Sequence, residues 1–217
     1  NKGDMASCIH LGILYYEGGE IEIKIDIIIG GTPCQSFSFA LSQWKDIPKG
    51  LEGKSGLFLE FLRILNEVNP KYFLLENVKM KKESKKELDQ YMGVEGLLIN
   101  SSLVSYQNRE RYYWTNIPNV IMPEDREISF QDYKETEFEN QLPYKLKTTP
   151  SRLQMWNNGK GKEGLKSCPN VTHSNKIWCL TRKQDRSPNS GLIEFDGFAR
   201  YLTRKEIELV AEALNLI

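Results

Sequence analysis

The sequence predicts an α/β protein with an open, largely parallel sheet, and three observations carry that prediction. The run Ile25-Asp26-Ile27-Ile28-Ile29 is short, apolar and β-branched, and it stops at Gly30-Gly31. A helical stretch from Ser55 to Val68 places Leu57, Phe58, Phe61, Leu62, Leu65 and Val68 on one apolar face. A second strand, Lys71 to Leu75, follows and ends at Glu76. Two parallel strands with a helical crossover put both strand ends on the same edge of the sheet.

Each element has a local reason. Gly3-Asp4 reads as a turn, with Asp4 its polar residue. Gly18-Gly19 is a second turn, after which charged and apolar residues alternate from Glu20 into the strand. Gly30 and Gly31 are expected to turn the backbone sharply, and Pro33 fixes φ. Cys34 is thereby left at the strand's carboxyl end, where open α/β sheets bind ligands. A core cysteine would sit inside the apolar run instead. Phe37 to Lys54 is irregular for its whole length, the signature of a functional or disordered loop. Ser55 caps the helix and Asn69-Pro70 ends it. Lys79 to Lys86 reads as the solvated start of another helix. Leu97 to Val104 is a strand, Gln107-Asn108 a turn, and Arg111 to Ile117 an antiparallel partner; Arg109 and Arg111, alternating with Glu110, share one face. From Asn119 to Ala199 the regular pattern fades. Thr203 then caps a helix whose Ile207, Val210, Ala211 and Leu214 are expected to pack back on the sheet.

Composition bounds the function classes. The 217 residues suffice for a large core, and 29 basic residues balance 29 acidic ones. That balance is a cancellation. Lys145 to Arg186 holds ten basic and two acidic residues, and Glu124 to Glu139 seven acidic and two basic. The basic stretch, with Trp156 and Trp178 interleaved, suits phosphate contact and base-edge readout, or else is a solvated surface. Cys8, Cys34, Cys168 and Cys179 form no Cys-x-x-Cys pair, which fits a reducing cytoplasm. Cys168, His173 and Cys179 lack a fourth ligand and tight spacing, so no metal site is expected. No apolar run approaches the roughly 20 residues that cross a bilayer.

Four segments, in order, carry a resemblance. Gly30-Gly31-Thr32-Pro33-Cys34-Gln35-Ser36-Phe37-Ser38 resembles the nucleophile motif of the cytosine-5 DNA methyltransferases, of phage and bacterial type. Glu76-Asn77-Val78 is similar to the family's Glu-Asn-Val, and Gln107-Asn108-Arg109-Glu110-Arg111 to its Gln-x-Arg-x-Arg. Arg200-Tyr201-Leu202-Thr203-Arg204-Lys205-Glu206 resembles Arg-x-Leu-Thr-Pro-x-Glu, with Arg204 in place of proline.

The resemblance implies an S-adenosylmethionine-dependent methyltransferase sheet of Rossmann-like type, incomplete, with a smaller irregular target-recognition region. Residues 1–118 would be catalytic, 119–199 the target-recognition region, and 200–217 a helix returning to the catalytic part. Cys34 would be the nucleophile, with Glu76, Arg109 and Arg111 completing the catalytic set. Asp4 and Pro33 would face S-adenosyl-L-methionine, and Gln35, Ser36, Asn77 and Gln107 the substrate. Phe37 to Lys54 would be the loop that closes over DNA, with Ser36 and Lys54 reaching phosphates. Double-stranded DNA is the implied partner of a monomeric cytoplasmic enzyme, with room for a companion restriction endonuclease.

The match also breaks. The glycine-rich first motif, the acid after the second strand and a closing Gly-Asn segment are absent, as though both ends of a longer protein were removed. Without the neighbouring first strand, the Cys34-bearing strand would have an exposed edge. Two other readings stay open: a split or degenerate member that binds DNA without methylating it, and the RNA-methylating (tRNA) branch.

Overall fold

The structure, a computed structural model, describes residues 14–16, 19–21, 24–32, 57–159, 164–165, 168–180 and 189–215. In chain order the elements are β1 (Leu14–Tyr16), β2 (Gly19–Ile21), β3 (Ile27–Gly31), α1 (Leu57–Val68), β4 (Tyr72–Val78), α2 (Lys82–Met92), β5 (Leu97–Asn100), β6 (Gln107–Asn108) and β7 (Glu110–Thr115). Then follow α3 (Phe138–Gln141), α4 (Pro150–Gly159), β8 (Gly164–Leu165), β9 (Cys168–Pro169), β10 (Ile177–Trp178), β11 (Ile193–Phe195), β12 (Phe198–Arg200) and α5 (Arg204–Asn215). Two compact units result: Asn1–Leu97 with Tyr112–Asn119, and Leu98–Arg111 with Val120–Ile217.

In the first unit, β1 and β2 form an antiparallel hairpin. The main sheet has the order β3-β4-β7-β5, and the division between the units passes through β5 and β7. β3 and β4 pair in parallel, in register from Ile27 opposite Tyr72 to Gly31 opposite Glu76, with α1 as the crossover. The predicted strand-helix-strand unit is therefore present. Phe58 and Phe61 of α1 bury against Ile28, Phe73 and Leu75, with Leu88, Met92 and Trp114 in the same core. Leu57, expected on that apolar face, is exposed. Asn69 takes φ 45° and its amide donates to Leu65 O at 2.9 Å, which closes α1 before Pro70.

Two expectations change in this unit. Among the described residues β3 is the outer strand of the sheet, the exposed edge that was expected; it buries only Ile28 of its five residues, and Ile29 is 66 % exposed. Gly30 and Gly31 make no turn: both lie inside β3. A Cβ on Gly30 would meet the Phe61 ring at 2.5 Å, so the missing side chain is what lets α1 pack close to the strand. Glu76 does not follow the second strand but lies within it, because β4 continues to Val78.

At the far end of α2, Gly93 adopts φ 68° and ends the helix. Asp89 accepts from Trp114 Nε1 at 2.7 Å, from Gly96 N at 2.9 Å and from Lys85 Nζ at 2.8 Å, tying the helix to the chain that follows it.

Strands of two or three residues dominate the second unit, as the faded pattern implies. The predicted strand from Leu97 stops at Asn100, whose side-chain oxygen accepts from Ser102 N at 3.1 Å and Arg109 N at 2.9 Å. That carboxamide turns Ser101–Leu103 into a 3-10 helix. Gln107-Asn108, expected as a turn, is instead β6 and pairs in parallel with β10. Tyr106, Phe130, Val171, Ile177, Ile193, Leu202 and Val210 form the core of this unit. Among the described residues, the last helix, α5, packs into this core through Val210. Thr203 does cap it: Glu206 N donates to Thr203 Oγ1 at 3.2 Å, and Thr203 N donates to Glu206 Oε2 at 2.6 Å.

Candidate functional site

Cys34, Gln35, Ser36, Pro33, Asp4 and Lys54 lie outside the described residues. Glu76, Asn77, Gln107, Arg109 and Arg111 are described, in two groups.

The first group surrounds the end of β3. Side chains alternate along β4, so Phe73, Leu75 and Asn77 face the core while Glu76 points to the opposite face, half-buried. Glu76 is the register partner of Gly31, and a Cβ on Gly31 would stand 3.4 Å from Glu76 Oε2. A Cβ there would make only an ordinary contact with the carboxylate. Asn77 was expected at the substrate, yet it is 1 % exposed. Its Nδ2 donates to Thr32 Oγ1 at 3.0 Å and Thr32 O at 3.4 Å, and its Oδ1 accepts from Val78 N at 2.8 Å. Asn77 therefore holds Thr32, two residues before Cys34 in the sequence, and its own polar atoms are already engaged.

The second group is built on β6 and β10. Gln107 is buried, with Oε1 accepting from Leu180 N at 3.2 Å, so it supports the segment Ile177 to Leu180. Arg109 is anchored by its backbone to Asn100, and its Nη1 donates to Cys179 Sγ at 3.2 Å. Arg111 Nη1 donates to Glu110 O at 2.8 Å. Sequence reading passed over the supports of this motif. Tyr106 Oη donates to Glu206 O at 2.7 Å, Ser101 Oγ to Gln107 O at 2.8 Å, and Ser105 Oγ accepts from Gln107 N at 3.1 Å. The serines of Ser101-Ser102-Leu103-Val104-Ser105 were the available signal, since serine so often bonds nearby backbone.

The basic stretch is not all free charge. Lys176 Nζ donates to Ser102 O at 2.7 Å, Ile128 O at 2.9 Å and Ser105 O at 3.1 Å, an internal tie in place of a phosphate contact. Lys145 pairs with Asp196, and Arg152 bonds Lys147 O at 3.3 Å. Lys160, Lys162, Lys166, Arg182, Lys183 and Arg186 lie outside the described residues. Among the described residues, no helix is long and apolar enough to cross a membrane.

The parallel β3–β4 pair with its helical crossover, and a carboxylate beside the end of β3, make this an α/β fold. The crystal structure of the S. pombe Dnmt2 methyltransferase has that fold, at a TM-score of 0.53 over 85 % of this chain and 66 % of that one, with 19 % identity. Residues 13–184 match the family of C-5 cytosine-specific DNA methylases, and the chain belongs to it. It is 37 % identical over 133 residues to the type II methyltransferase M.AquIA of Picosynechococcus sp., covering 59 % of this chain and 51 % of the relative. To the orphan methyltransferase M.Rho11sI of Bacillus phage rho11s it is 34 % identical over 116 residues, 47 % of this chain and 22 % of that protein. The chain thus spans about half the length of the first relative and less of the second.

Proposed function

We propose that this chain is the catalytic and target-recognition part of a DNA (cytosine-5)-methyltransferase acting on double-stranded DNA. The observation that carries the reading is the register pair Gly31–Glu76, which sets a carboxyl group beside the strand end three residues before Cys34 in the sequence. Carbon 5 of cytosine is a poor nucleophile. Addition of the Cys34 thiolate to carbon 6 makes the ring electron-rich, and a protonated Glu76 donates a hydrogen bond to ring nitrogen 3, where the charge collects. S-adenosylmethionine supplies the methyl group that carbon 5 accepts; Asp4 and Pro33 are assigned to it by the family resemblance. Loss of the carbon 5 proton to a base then expels the thiolate and restores the ring. By the family resemblance Arg111 and Arg109 hold the cytosine carbonyl and the sugar-phosphate, and Gln107 supports the pocket. In a duplex the target base must leave the stack, at a cost of a few kcal/mol.

The test is a covalent adduct with duplex DNA in which 5-fluorocytosine replaces cytosine, made by the protein at its full natural length. Adduct formation that requires S-adenosylmethionine, disappears in Cys34→Ala and resists competition by tRNA is the expected result. Its absence on every 5-fluorocytosine-containing duplex tried would overturn the reading.

A further inference from the structure

We infer that Trp178, with Asn108 beside it, forms a base-contacting platform on which the indole ring stacks against an exposed base of the DNA. This rests on the methyltransferase reading above. β10 and β6 pair in parallel with Trp178 directly opposite Asn108, so their side chains share one face of this small sheet. The other face carries Gln107 and Ile177, both buried. Trp178 is 55 % exposed, so the indole face is open to solvent and available for contact.

The ring is not on a loose segment. Trp178 N donates to Ser190 O at 2.9 Å and Ile177 N to Tyr106 O at 2.8 Å, so its backbone is fixed from both sides. With the backbone fixed, only the two side-chain torsions of the tryptophan are left to be ordered on binding. Asn108 Oδ1 accepts from Asn100 Nδ2 at 3.3 Å, which orients the carboxamide and leaves Nδ2 without a partner among the described residues. A flat apolar face beside a carboxamide donor is the pair of groups that stacks on a base and reads its edge. The next residue in the chain, Cys179, accepts from Arg109 Nη1 at 3.2 Å, which ties this strand to the segment that carries the arginine.

The experiment titrates the full chain with a short mixed-sequence duplex containing cytosines, following both binding and tryptophan emission. Trp178→Ala is expected to bind about tenfold more weakly. Trp178→Phe is expected to retain most of the affinity while losing the share of the DNA-dependent quenching that Trp178 contributes beside Trp44, Trp114 and Trp156. Because the ring is exposed, both variants should melt as the unmodified protein does. Unchanged affinity in Trp178→Ala together with unchanged quenching in Trp178→Phe would overturn the platform, as would a ring covered by a protein partner and not by DNA. Adducts with 5-fluorocytosine DNA are scored on the same samples. Adduct formation with no effect of Trp178→Ala sinks the platform alone, whereas Trp178-dependent binding without any adduct supports the platform and sinks the methyl-transfer reading.

Discussion

Arg200 and Glu206 form a two-pronged ion pair in which both side chains are 0 % exposed, with Nη1 to Oε2 and Nη2 to Oε1 both 2.9 Å. Every remaining lone pair finds use: Glu206 also accepts from Glu135 N and Thr203 N, while Arg200 Nε donates to Gln141 Oε1. The family-like segment Arg200 to Glu206 thus serves as an internal lock of the second unit.

Breaking one side of that lock strands a buried charge. Glu206→Ala is expected to destabilise the protein by about 3–5 kcal/mol. Arg200→Lys should fail to restore stability, because an ammonium cannot make both parallel bonds. Urea unfolding of each variant measures this; a loss under about 1 kcal/mol would show the pair to be dispensable.

Gly30 is expected to tolerate no side chain while Phe61 is present. Gly30→Ala should cost about 1–3 kcal/mol by overpacking. Phe61→Leu in the same chain should recover part of that loss, a coupling that a double-mutant cycle reads directly. Independent effects would mean that the close approach of strand and helix is not what excludes a side chain.

Burial acts to raise the Asp89 carboxyl, but the bonds from Lys85, the Gly96 amide and Trp114 outweigh it and hold the group below its ordinary value. Unfolding releases those bonds. The stabilisation is therefore complete above the ordinary carboxylate range and lost as pH falls through the lower, folded value. The stability difference between the unmodified protein and Asp89→Asn should shrink on acidification from about pH 7 to about pH 3. A difference constant with pH would count against the carboxylate.

Glu76→Gln should keep the fold and lower methyl transfer by about 10²–10⁴-fold, the range for losing a positioned proton donor. Asn77→Ala should instead lose about 1–3 kcal/mol of stability through the released Thr32 and Val78 groups. Thermal melts and single-turnover methylation on the two variants separate the roles. A Glu76→Gln protein that melts early and methylates normally would reverse them.

The sequence by itself determined the parallel strand-helix-strand unit, though not where its strands end. The apolar runs from Ile25 and Lys71, the helical spacing from Phe58 to Val68, the stop at Asn69-Pro70 and the Thr203 cap are local signals, set by backbone geometry within a few residues. Motif order likewise singles out Glu76, Gln107, Arg109 and Arg111 as candidate site residues, through the family resemblance alone. Tertiary structure alone decided what each polar or small residue meets. Gly30 and Phe61 are 31 positions apart, yet the ring, not a turn, explains the glycine. Lys176 resembles its basic neighbours in sequence, but carbonyls of Ser102, Ser105 and Ile128 surround its ammonium group. Asn77 turns inward because β4 runs past Glu76, and alternation then sends adjacent residues to opposite faces. Residue spacing encodes local conformation, whereas the partner that satisfies a buried hydrogen-bonding group comes from a distant part of the chain and is chosen only when the chain packs.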